Sequence, residues 1–244
     1  MRVEALTLAL RPRPMSEAAD LGAALVRTHA ASIWRSLLPV YAVTLVIALA
    51  SVEIASWLPT LMIFWLKPWL DRTLLFVLSR AVFGQATRWA DVWQARATIL
   101  RGQLLETLTL RRLSPWRSFT LPVALLEGQR GKARRLRRSQ LLRARRGSAG
   151  CMHAVFANVE MALYLGAMSV AVWFAPEGTR SDVFAWLTES QSSGPALVMA
   201  LVYGAVVLAV EPFYVAAGFA MYLNRRVELE AWDIEQEFRG AFGH

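Results

Sequence analysis

The chain has 244 residues, enough for one soluble domain or a small bundle of membrane helices. Its 56% hydrophobic content and mean hydropathy of +0.37 favour the bundle. A single cysteine, Cys151, excludes an internal disulfide. The net charge of +9 is unevenly placed, because residues 84–153 hold fifteen Lys/Arg against three acids, a surplus of +12 that leaves −3 for the rest.

The start of the chain has Arg11, Pro12, Arg13 and Pro14 where a cleavable signal needs an apolar core and a small-residue site, so insertion falls to the first span. Residues 15–36 read as an amphipathic helix that completes a cytoplasmic lead-in over 1–36. Ser16 is its expected cap, with Glu17 and Asp20 in the first turn. Leu37–Trp57 is the first run long enough to cross a bilayer, which takes roughly 20 residues. Arg27 and Arg35 before it hold the N-terminus in the cytoplasm.

Residues 60–83 are apolar at both ends but contain Lys67, Pro68, Asp71 and Arg72. The basic segment that follows belongs on the cytoplasmic side, so an even number of crossings must precede it. The expectation is a second span kinked at Pro68, giving a span pair over 37–83; a re-entrant hairpin is the alternative.

The region 84–153 reads as cytoplasmic. Trp89–Leu108 has apolar residues at 89, 92, 93, 97, 100, 104 and 108, the stripe of an amphipathic helix. A second amphiphilic piece, Ser114–Glu127, is interrupted by Pro115 and Pro122. Arg130–Arg146 then carries nine Lys/Arg and no acid. Such a run beside a span sets topology and faces anionic headgroups, with Arg134, Arg135, Arg137, Arg138, Arg143, Arg145 and Arg146 as the candidate contacts. No aromatic residue interleaves it, which counts against nucleic acid.

Ala154–Phe174 crosses outward and Ala196–Tyr222 returns, the last two spans of a 154–224 segment. The Gly-, Pro- and Ser-bearing stretch 175–195 between them is expected to be an external loop. In the tail, 225–244, Val227, Ala231, Ile234 and Phe238 share one helical face and form a candidate docking surface. Arg226–Glu230 and Glu235–Arg239 are i,i+4 pairs there. The expected fold class is all-α: an integral membrane helical bundle of about four spans plus cytoplasmic amphipathic helices.

Ionisable groups inside spans cost several kcal/mol unless paired, which singles out Glu53, Lys67, Asp71, Arg72, Arg80, Glu160 and Glu211. Depth along the spans matches Glu53 with Lys67, and Glu160 or Glu211 with Arg72 or Arg80. These pairs read either as ties between helices or as a polar path for a proton, ion or headgroup. Small residues at four-residue spacing (Ala162/Gly166, Ala200/Gly204, Ala216/Ala220) permit close helix contact. There is no H-E-x-x-H, G-x-S-x-G or Walker loop, and Cys151-x-His153 is too sparse for a zinc site. The expectation is therefore no enzyme, no metal and no cofactor.

Four segments carry a resemblance: LRPRPMSEAADLGAALVRTHA, FWLKPWLDRTLLFVLSRAVFG, RRLSPWRSFTLPVALLEG and EPFYVAAGFAMYLNRRVELEAWDIEQEFR. With these the chain resembles a family of uncharacterised bacterial multi-pass inner-membrane proteins. It is similar to the membrane half of longer proteins that continue into a transglutaminase-associated domain, which this sequence, ending at His244, is expected to lack. The last segment also resembles, distantly, the membrane domain attached to some glycerophosphodiester phosphodiesterases. The resemblance implies a bacterial inner-membrane location and a multi-protein envelope system, with a MoxR-type AAA+ ATPase among the expected partners. The functional expectation is a non-catalytic scaffold or assembly subunit with cytoplasmic termini. Its alternative is a small transporter or lipid-handling protein with Arg72, Glu160 and Glu211 along its path.

Overall fold

The computed structural model describes residues 12–100, 113–176, 178–188 and 192–230, and among these it contains helices and no strand. Helix α1 is Met15–Thr28, and α2, Ala30–Ala50, ends in a 3-10 turn at Ser51–Glu53. After α3 (Leu58–Ala81) come two short pieces, α4 (Trp89–Gln94) and α5 (Arg96–Leu100). The remainder is α6 (Arg117–Leu125), α7 (Gly131–Leu142), α8 (Arg146–Trp173), α9 (Arg180–Thr188) and α10 (Ser193–Glu230).

Helix α10 is the organising element. Its 38 residues pack against α1, α3, α6 and α8, while α2 packs chiefly on α3. Two close approaches explain the register. A Cβ on Gly22 of α1 would collide with the Ala216 carbonyl of α10, so the two helices cross in backbone contact. A Cβ on Gly204 would lie 2.5 Å from the Tyr41 hydroxyl, which brings α2 onto the other half of α10. Thus Ala200/Gly204 and Ala216 do mark close contacts. Ala162 and Gly166 do not, because both are exposed on α8.

Three helices are long and apolar enough to span a membrane: Ala30–Glu53, Arg146–Trp173 and Ser193–Glu230. The expected second span is an unbroken helix, α3, that runs through Pro68 but carries too many charges to join them. Those charges face inward. Lys67, Asp71 and Arg72 are buried, whereas Leu61, Phe64 and Trp65 are exposed. Helix α8 shows the same inversion, with Val155, Val159, Leu163, Leu165, Val170 and Trp173 all outside.

Several expected boundaries move. The lead-in helix is not continuous over 15–36, since His29 leaves helical geometry (φ −109°, ψ 20°) and splits α1 from α2. Its cap is Pro14 rather than Ser16, which falls inside the first turn. The expected external loop 175–195 contains a helix, α9. The last span runs without a break into the first residues of the tail, as far as Glu230 of α10, and Val227 is core at 1% exposure rather than a docking face. The reason is that α1 and α7 both lie against the C-terminal part of α10. Ala231, Ile234 and Phe238 lie outside the described residues, as does 101–108 of the expected Trp89–Leu108 helix.

Candidate functional site

Helical periodicity brings one polar face from each of three long helices to a common point. On α3, Lys67 and Asp71 are one turn apart. On α10, Tyr203, Glu211 and Tyr214 share a stripe, and on α8, His153, Phe156, Glu160 and Tyr164 do. Helix α6 adds Arg117, its first residue. A cation at a helix N-terminus opposes the macrodipole, and here two carboxylates offset it.

The result is a buried cluster of alternating charge. Lys67 Nζ lies 2.5 Å from Glu160 Oε2 and 2.6 Å from Glu211 Oε2. The other oxygen of Glu211 accepts from Arg117 Nη2 at 2.9 Å. Arg117 Nε is 2.8 Å from Asp71 Oδ2, close enough for an ion pair although its N–H is not aimed along that line. Tyr203 donates its hydroxyl hydrogen to Glu160 Oε1 at 2.7 Å. His153 Nδ1 and the Tyr214 hydroxyl are 3.0 Å apart, and the Arg117 guanidinium sits 5.3 Å from the centre of the Tyr214 ring. Exposure is 6% for Lys67, 0% for Asp71, 7% for Arg117 and 1% for Glu211. Pairing is obligatory at such depth, because an isolated buried charge costs several kcal/mol.

This cluster floors a cavity of about 910 Å³ between α3, α8 and α10. Lys67, Arg117, His153, Glu160, Tyr203 and Tyr214 supply its polar end. Phe64, Leu113, Phe156, Met161 and Tyr164 supply apolar wall. Leu61, Phe64 and Met161 are themselves exposed on the outer apolar surface, so the cavity opens sideways among them.

Of the residues singled out in the sequence, the structure unites Lys67, Asp71, Glu160 and Glu211. The depth-matched pairs do not form. Glu53 is exposed and away from Lys67, because the chain leaves α2 through the 3-10 turn. Arg72, the neighbour of Asp71, leaves on a different side of α3, donating Nε to the Ile99 carbonyl at 2.6 Å. Arg80 is half-buried, 3.9 Å from Asp91. Arg117, His153, Tyr203 and Tyr214 were not singled out for this site. The one signal for Arg117 was an arginine in an otherwise apolar, proline-bounded stretch.

The basic run divides as well. Arg134 is buried. Arg137 reaches Glu127 with Nε at 2.9 Å and also pairs with Glu230, and Arg145 lies 2.8 Å from Glu228. Arg138 is half-buried, while Arg135, Arg143 and Arg146 remain exposed. The cause is the acidic end of α10. Glu230 and Glu228 draw Arg137 and Arg145 onto the protein, so only part of the run stays exposed. Arg226 completes its expected pair with Glu230 at 2.5 Å, and Tyr222 donates to Glu127 at 2.6 Å.

No family model matches the chain, and no curated protein or solved structure does.

Proposed function

We propose that the protein is a lipid-handling membrane protein that admits an amphiphile sideways into the cavity between α3, α8 and α10. The observation that carries this reading is the cavity itself, apolar where it opens and charged where it ends. The headgroup contacts Lys67, Arg117, His153 and Tyr203, and the chain lies along Phe64, Phe156 and Met161 toward the exposed face of α8. About 910 Å³ falls within the roughly 300–1,000 Å³ of ligand cavities. The scaffold reading has less support, since the first of its docking residues, Val227, is core.

In this reading the chain crosses a bacterial inner membrane four times. Helices α2 and α8 run outward and α3 and α10 inward, with both termini and the basic α7 in the cytoplasm. The second crossing tolerates its charges because α2, α6 and α10 surround them, leaving an apolar outer side. At 1.5 Å per residue α10 is about 57 Å long, far beyond the ~30 Å hydrocarbon core, so its charged end projects into the cytoplasm.

The test fills the cavity. Ala157 lines it and is exposed, so Ala157→Trp adds bulk without disturbing the core. Native mass spectrometry of the chain released from lipid nanodiscs should show a retained lipid in the wild type, reduced at least tenfold in A157W. Equal lipid in a folded A157W sinks the reading. Topology has its own probe in Cys151, exposed and the only cysteine of the chain. A membrane-impermeant maleimide should label it in inverted vesicles and leave right-side-out vesicles unmodified.

A further inference from the structure

Behind the cavity floor the charges do not balance. Lys67 and Arg117 are the two cations of the cluster, against the three carboxyls of Asp71, Glu160 and Glu211. Neither Asp71 nor Glu211 lines the cavity, and both are buried almost completely. A net charge held there meets a solvation cost that no surface ion can relieve.

The position of Asp71 sharpens the point. Both of its oxygens are buried and accept no hydrogen bond among the described residues. Yet one guanidinium draws its carboxyl together with that of Glu211, Arg117 lying 2.8 Å from Asp71 Oδ2 through Nε and 2.9 Å from Glu211 Oε1 through Nη2. Two ionised carboxylates have no hydrogen to place between them and repel. One proton turns the same contact into an O–H···O⁻ bond, one of the stronger kinds available. The same proton neutralises the cluster.

Each helix around the pair offers a competing site. On α3, Lys67 is already a cation. From α8, Glu160 faces the pair, but Lys67 and Tyr203 both donate to it and satisfy it. His153 contacts the Tyr214 hydroxyl, and the Arg117 guanidinium sits over that same ring, so a proton on the imidazole would add a positive charge next to an existing one. On α10, the hydroxyls of Tyr203 and Tyr214 are neutral. Arg117 from α6 bridges the two carboxyls and favours one negative charge between them. The pair of carboxyls is the place where a proton removes repulsion instead of adding it.

We infer that Asp71 and Glu211 form a buried proton-binding site that holds one shared proton behind the cavity floor. The proton belongs to the pair rather than to either residue. This stands independently of the lipid reading, since it concerns groups that the cavity does not reach.

The test is infrared spectroscopy of the full chain in detergent micelles at neutral pH. A carbonyl band of a protonated carboxylic acid is expected in the wild type, shifting in D2O. Asp71→Asn should abolish it, because Asn supplies the N–H that the proton supplied and leaves two cations facing two carboxylates. D71N should also melt at or above the wild-type temperature. Absence of the band, its survival in D71N, or failure of D71N to fold overturns the inference. Absence of the band together with a melting temperature that rises with sodium would assign the missing positive charge to a metal cation. Lipid retention by D71N is read separately, so either proposal can fail alone.

Discussion

The middle of α10 and its C-terminal end use the same side chains for different ends. In the middle, Glu211 meets Lys67 and Arg117 with side-chain exposures of 2%, 7% and 6%. At the end, Glu230 meets Arg137 and Arg226 with 24%, 22% and 20%. The ligand-sized cavity adjoins the first group, whereas the second joins α10 to α7 and the turn before it. Burial decides how much a single lost partner matters. A partly solvated ion recovers much of its hydration when its partner goes, and a buried one cannot.

The largest effect is expected at Arg117. Arg117→Ala leaves Asp71 and Glu211 facing each other with only Lys67 nearby, and should cost about 3–5 kcal/mol in denaturant unfolding from micelles. Its contrast with D71N is instructive: removal of the cation is severe, while neutralising one surplus carboxyl is harmless. If R117A unfolds like the wild type, the cluster is solvated and the distinction between the two halves of α10 collapses.

A smaller effect is expected at the other end. Arg137→Ala breaks its pairs with Glu127 and Glu230, but Tyr222 still donates to Glu127 and Arg226 still holds Glu230. The loss should be at most about 1 kcal/mol. Raising the salt concentration should shrink the R137A difference and leave the R117A difference nearly unchanged, because mobile ions screen only the solvated group. A salt-insensitive R137A would place the terminal network in the same class as the buried one.

Much of the architecture is legible in composition and spacing. The long apolar runs appear as helices α2, α8 and α10, since a stretch without breakers and with few charges has no better way to satisfy its backbone in an apolar setting. Glu53, Glu160, Glu211 and the charges of residues 60–83 stand out for the cost they carry inside an apolar stretch. Four of the seven residues so chosen meet in one cluster. Pairing by depth failed for Glu53, Arg72 and Arg80, because depth says nothing about which side of a helix a residue faces or how neighbouring helices are rotated.

The remaining features depend on helices meeting. Arg117 comes from a nine-residue helix marked in the linear order only by its prolines and amphiphilic pattern, and it becomes central because α6 packs against α10. Arg137 and Arg145 look equivalent to Arg135, Arg143 and Arg146 in a basic run, yet the acidic end of α10 pairs with the first two and leaves the other three exposed. Residue type and period set which segments become helices and which residues are costly to bury. The partner of each costly residue is chosen by contacts between segments up to 144 positions apart, such as Lys67 with Glu211, and local order carries no information about those.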